Sequence, residues 1–140
     1  MYLLDTNTIS ELRKVAMLRG DRNVALWSQG VEAEDQYLSA ITLQELELGI
    51  LMSERKDPAR GAVLRAWMTK QVLGHFRERT LPIDAAVAMR SAQLHAQRSR
   101  SFADALIAAT AYVHGFSVVT RNVRHFHDTG VSVIDPWLPQ

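Results

Sequence analysis

Tyr2-Leu3-Leu4-Asp5-Thr6-Asn7 begins with three apolar residues, followed by an acid and two short polar residues. An unbroken apolar run suits a strand buried on both faces, and strands of that kind lie at the centre of parallel sheets. Asp5 closes the run. A carboxylate in such a setting is costly unless something pairs with it, and a shared divalent metal is an economical partner. A helix cap is the plainer reading of the same acid. Two later stretches also set one acid in apolar company: Ser39-Ala40-Ile41-Thr42-Leu43-Gln44-Glu45 and Asp104-Ala105-Leu106-Ile107-Ala108-Ala109-Thr110.

Outward from the first strand, Thr8-x-x-Glu11 predicts a capping box and a helix through about Lys14. Val24, Leu26 and Trp27 predict a short helix closed by Gly30, and Gln36 to Ser39 a second strand. A helix is expected from Thr42 to about Arg55, stopped before Pro58. Ala59 to Arg79 reads as a helix interrupted near Gly74, and Leu81-Pro82-Ile83 as a short extended piece. Asp84 is the expected N-cap of a helix to about Arg98, and Phe102 to His114 forms another, ended by Gly115. Phe116 to Thr120 and Val131 to Ile134 supply the last strands. Strands alternating with helices imply right-handed crossovers and an α/β fold whose mostly parallel sheet is covered on both faces. Ligands in such folds sit beyond the carboxyl ends of the strands, where Asp5 and Thr120-Arg121-Asn122 fall.

Of the 140 residues, 47% are apolar and 22% charged, which suits a single folded domain over residues 1–140. The net charge of +1 neither demands nor excludes nucleic acid, because a basic rim around an acidic pocket cancels in the sum. The absence of cysteine excludes disulfides and thiolate metal sites. No basic n-region leads into an apolar h-region and no segment has the length of a membrane span, so a cytoplasmic protein with no membrane contact is expected. There is no Gly-rich phosphate loop, Ser-His-Asp order or zinc signature.

Asp104 is the only charged residue between Phe102 and Val113. Ser101-x-x-Asp104 is itself a capping box and an acid suits the first turn of a helix, so capping and catalysis both fit. Helical spacing sets Ile41, Leu48, Gly49 and Met52 on the face of Glu45, with Glu47 and Glu54 nearly opposite. Glu45 is therefore the acid expected to face the interior, although Thr42-x-x-Glu45 is another capping box. Leu43, Leu46 and Ile50 make a second apolar stripe, and two stripes on one helix imply deep burial or a partner surface. Arg98, Arg100, Arg121 and Arg124 flank the predicted acidic helix and strand end, as RNA-phosphate contacts or as members of surface ion pairs. His125 and His127 read as solvent-facing residues of a polar loop.

Taken together, Leu-Leu-Asp-Thr-Asn, Ser-Ala-Ile-Thr-x-x-Glu-Leu, Asp-Ala-Leu-Ile-Ala-Ala-Thr-Ala and Thr-Arg-Asn resemble the PIN-domain family. The resemblance is closest to its VapC-type and FitB-type bacterial toxins and extends to Ile134-Asp135-Pro136-Trp137. It implies a three-layer α/β/α fold and a Mg²⁺-dependent endoribonuclease, with Mn²⁺ as a possible substitute. It further implies an RNA substrate, a homodimer and a cognate antitoxin protein. Carried over by position, it makes Asp5, Glu45 and Asp104 catalytic acids, with Asp5 and Asp104 as metal ligands. Thr6 and Asn7 match the polar companions of the first acid, and Thr120 supports them. Where the family often carries a fourth acid, this chain has Asn122, with His125 three residues later. An amide oxygen can ligate but brings no charge. A catalytically weak or inactive module that binds nucleic acid or protein is the alternative this departure keeps open.

Overall fold

The computed structural model describes residues Met1–Gln140. Five strands form one parallel sheet: β1 (Tyr2–Leu4), β2 (Gln36–Ser39), β3 (Thr80–Leu81), β4 (Ser117–Val119) and β5 (Val133–Ile134). Their spatial order is β3-β2-β1-β4-β5. The chain runs outward from β1 on one side and returns to pair β4 on the other, so strand order reverses at β1 and β4. The crevice beyond their carboxyl ends is where open α/β sheets bind ligands.

Period-two alternation divides the core. Leu3 and Val118 face one layer of buried residues, including Val87, Leu94, Ile107 and Phe126, whereas Leu4 and Val119 face the other, with Ile9, Leu38, Leu46, Met68 and Phe76. The first layer is built by α6 (Ala85–Gln97) and α7 (Phe102–His114). The second comprises α1 (Thr6–Ala16), α2 (Arg22–Gln29), α3 (Ala40–Lys56), α4 (Pro58–Trp67) and α5 (Leu73–Phe76). The three-layer α/β/α expectation holds. Every residue of α7 from Ala105 to Ala111 is buried, and its small alanines let the helix lie close to the sheet. Its ends match the sequence reading: Ser101 Oγ accepts the Asp104 N–H, and Gly115 takes the left-handed C-terminal position at φ 72°.

Two helix starts differ from the sequence reading. The capping box at Thr8 is not used: α1 begins at Thr6, capped by Asp5, and the Thr8 hydroxyl donates to the Val119 carbonyl instead. Likewise α3 begins at Ala40 under a Ser39 cap, leaving Thr42 buried within the first turn with an unpartnered hydroxyl. In both cases the strand runs directly into the helix, so the residue at the strand end caps it. The expected interruption near Gly74 lies earlier, as a π-helical turn over Met68–Val72 between α4 and α5. Part of the assignment on α3 also changes. Leu46 and Ile50 are core, whereas Leu48 and Met52, on the face expected to accompany Glu45 inward, are about half exposed.

Candidate active site

Asp5 stands where β1 becomes α1, only 5% exposed. Its N–H extends the β1–β4 ladder to the Val119 carbonyl at 2.9 Å. One carboxylate oxygen accepts the Thr6 N–H at 2.7 Å and the other the Thr120 hydroxyl at 2.7 Å. The Thr120 oxygen in turn accepts from Asn7 Nδ2 at 3.3 Å and from the Asn122 N–H at 3.0 Å. Thr120, itself fully buried, thus ties the end of β4 to the end of β1.

Glu45 reaches the same place from the second turn of α3, where its Oε1 accepts the Thr6 hydroxyl at 2.6 Å. Glu47 and Glu54 are turned away together, and Arg65 of α4 donates to both. Helical spacing had separated these acids correctly. Asp104, in the first turn of α7, has a side chain 19% exposed and a carboxylate oxygen 3.0 Å from His125 Nδ1. That contact corrects the reading of His125 as merely solvent-facing: the histidine is half exposed but held against an acid of the site.

Electrostatics link the acids. Burial pushes the Asp5 pKa above the ordinary carboxylate value, against the lowering hydrogen bonds from Thr120 and Thr6, and the charge of Asp104 adds to the rise. Burial also raises Asp104, opposed by His125 and reinforced by Glu45. Two carboxylates whose ionised forms are each disfavoured by burial and by a neighbouring acid make a site that favours a cation. Even so, no three His, Cys, Asp or Glu side chains close into a ready-made metal cage. Oxygen donors of this kind suit Mg²⁺ or Mn²⁺, which retain waters and need only one or two carboxylates.

The remaining positions divide. Asn122 is exposed and contributes its N–H to Thr120, while its side-chain amide makes no hydrogen bond within the protein. Arg121 lies 5.5 Å over the ring of Trp137. Arg124, Asp104 and His125 share one cleft with Arg98, Arg100 and Ser101. Arg98 and Arg100 both bind Asp128, a partner the sequence reading missed because no local pattern joins residues so far apart.

A family model described as PIN domain matches residues 2–131. The chain is 39% identical to a relative named VapC ribonuclease Y4jK from Sinorhizobium fredii, over 99% of each chain. It is 37% identical to Toxin FitB from Neisseria gonorrhoeae, over 98% of this chain and 99% of that one. Among solved structures, FitAcB from Neisseria gonorrhoeae superposes with a TM-score of 0.87 at 36% identity, covering 98% of this chain and 99% of that one. With a parallel sheet whose switch point gathers Asp5, Glu45 and Asp104, and with relatives matched along their full length, the chain belongs to the PIN-domain family.

Proposed function

We propose that this protein is a metal-dependent endoribonuclease and the toxin of a toxin–antitoxin pair. The observation that carries the reading is the placing of three acids at the switch point of the sheet: buried Asp5 and half-buried Glu45 are joined through Thr6, and half-buried Asp104 lies near enough to raise the Asp5 pKa. The likeness to relatives named VapC ribonuclease and Toxin FitB supports it.

Asp5 and Asp104 are the residues suited to hold Mg²⁺, or Mn²⁺ in its place. When bound, such an ion activates water for attack on phosphorus and stabilises charge on the phosphate oxygens. Thr120 and the Thr6 N–H aim the two oxygens of Asp5. The Thr6 hydroxyl orients Glu45, leaving Glu45 Oε2 free to accept a proton from an attacking water. His125 braces Asp104 from outside. Asn122 borders this site as a neutral amide, and Arg121 and Arg124 supply positive charge at its rim.

A groove between α1 and the π-helical turn, lined by Ile9, Leu12, Arg13, Trp67, Lys70 and Phe76, suits an acidic amphipathic segment of an antitoxin. Burial and the neighbouring Arg60 and Arg19 depress the Arg13 pKa, so an acidic partner would relieve repulsion there. The half-exposed Leu48, Leu51 and Met52 of α3 are the surface we assign to a second copy in a homodimer. No helix is long and apolar enough to cross a membrane, and an RNA substrate puts the work of the protein in the cytoplasm.

The decisive experiment incubates the purified protein with total RNA and Mg²⁺, alongside EDTA and Asp104→Asn controls. Cleavage that EDTA stops and the variant lacks supports the reading. RNA binding without cleavage, in Mg²⁺ and in a parallel incubation with Mn²⁺, would leave a binding module in its place.

A further inference from the structure

Beside the acidic site, two guanidinium groups converge on one carboxylate. Arg98 donates to Asp128 through Nε at 2.7 Å and Nη2 at 3.2 Å, and Arg100 through Nη1 at 3.1 Å and Nη2 at 3.3 Å. Two cations face one anion, so positive charge remains in excess.

The three side chains are held very differently. Arg100 is 3% exposed and its Nε also donates to the Leu94 carbonyl at 3.1 Å, which fixes it without help from Asp128. Asp128 is 45% exposed. Its turn is anchored by the fully buried Phe126 and Thr129 on either side. Both the N–H and the hydroxyl of Thr129 donate to the Phe126 carbonyl, and Arg90 donates to the Thr129 carbonyl. The turn therefore stands without the Asp128 carboxylate, whose outward rotation requires only that its contacts to Arg98 and Arg100 be replaced. Fork contacts from arginine fit two oxygens of a phosphodiester as well as they fit a carboxylate. The fork also opens on the cleft that contains Asp104 and His125, and the charge of Arg100 reaches Asp104.

Resting on the ribonuclease reading, we propose that Arg98 and Arg100 bind a non-scissile phosphate of single-stranded RNA, and that Asp128 occupies this phosphate position in the free protein as an internal competitor. Entry of substrate exchanges one anion for another on the same fork, with no bond made or broken. The exchange is feasible because an incoming phosphate offers both arginines the same charge-assisted fork contacts that Asp128 gives up. An RNA segment with a phosphate at the right distance from the acids displaces Asp128, and other polyanions meet its charge.

The test measures fluorescence anisotropy of a single-stranded RNA 12-mer in EDTA, where no metal-dependent cleavage intervenes. Asp128→Asn is expected to tighten binding about fivefold at low salt, as the ion pairs of Asp128 with Arg98 and Arg100 no longer have to be broken. It should also steepen the log–log salt dependence by about 0.7, the value for one more net positive charge facing a single strand. Arg98→Gln is expected to weaken binding. Unchanged or weaker binding by Asp128→Asn overturns the competitor role. In the wild-type protein, NMR of the arginine Nε–H groups gives a readout that needs no variant: signals of Arg98 and Arg100 that stay still while RNA saturates the protein overturn the fork as a phosphate site. Tighter binding by Asp128→Asn in a protein that never cleaves RNA would remove the ribonuclease reading and keep the fork. Normal cleavage with binding unaltered in both Asp128→Asn and Arg98→Gln would remove the fork alone.

Discussion

Thr120→Val removes one hydroxyl and keeps the shape of the side chain, at a position with no solvent exposure. That hydroxyl donates the 2.7 Å hydrogen bond to Asp5, a charge-assisted contact to a carboxylate that is itself buried. Hydrogen bonds to charged groups contribute about 1.5–3 kcal/mol, and a buried acceptor left unpaired keeps its desolvation cost. The Asn122 N–H and Asn7 Nδ2 also lose their acceptor, but neither residue is fully buried and water replaces it. The expected loss is about 2 kcal/mol at neutral pH, or roughly 6–8 °C in Tm for a domain of this size. The pH dependence identifies the cause. The Thr120 hydrogen bond lowers the pKa of Asp5, so its removal lifts a folded-state pKa that burial already raises. A contact to the ionised carboxylate matters only while Asp5 is charged. The deficit should therefore be full above that raised pKa and shrink as pH falls through it. Thermal unfolding of both proteins in EDTA at several pH values measures this. A deficit of equal size at every pH would refute the assignment of the bond to ionised Asp5, and no deficit would refute the bond itself.

Asp104→Asn should raise Tm in EDTA at pH 8 while abolishing cleavage, because folding disfavours the ionised form of this acid. The sign follows from a folded pKa above the unfolded value: the penalty is complete above the folded pKa and absent below about pH 4, so the gain should vanish there. Mn²⁺ at ten times its Kd should stabilise the wild type by about 1.4 kcal/mol in calorimetry and leave Asp104→Asn unmoved. An equal response in both proteins would place the ion elsewhere. Gly61→Ala puts a Cβ 2.5 Å from Glu54 Cα and 2.7 Å from its nitrogen, forcing α4 away from α3. Denaturant titration should register a loss of about 1–3 kcal/mol, and a neutral result would show that the two helices separate freely. Phe126→Ala empties a fully buried position under the turn that carries His125 and Asp128, for an expected loss of about 3–5 kcal/mol in the same titration.

The sequence revealed most where a signal is local. Gly115 and Ser101 bound α7 as read because one supplies the left-handed conformation and the other an oxygen for a free N–H. Ser39 and Thr42 both satisfy a capping pattern, and nothing local says which one lies at the strand end; β2 running straight into α3 decides for Ser39. The π-helical turn has no proline or glycine within it to announce it. Glu45 was separable from Glu47 by helical angle, yet its bond to Thr6 spans 39 residues and belongs to tertiary structure. The same holds for His125 on Asp104 and for Asp128 between two arginines, where the partners meet only because the turn after β4 folds back over the start of α7.

The Asp5–Thr120 contact joins residues 115 positions apart. Contacts of such long sequence separation form late, since chain closure must precede any reward from pairing. During synthesis, Asp5 leaves the ribosome well before Thr120 and cannot be aimed until β4 has followed it out and docked beside β1. Domains fold as units while chains grow at about 5–20 residues per second, so several seconds or more separate the appearance of Asp5 from that of the hydroxyl that aims it. Any chemistry that needs Asp5 held by Thr120 is thus withheld from the growing chain until β4 has docked.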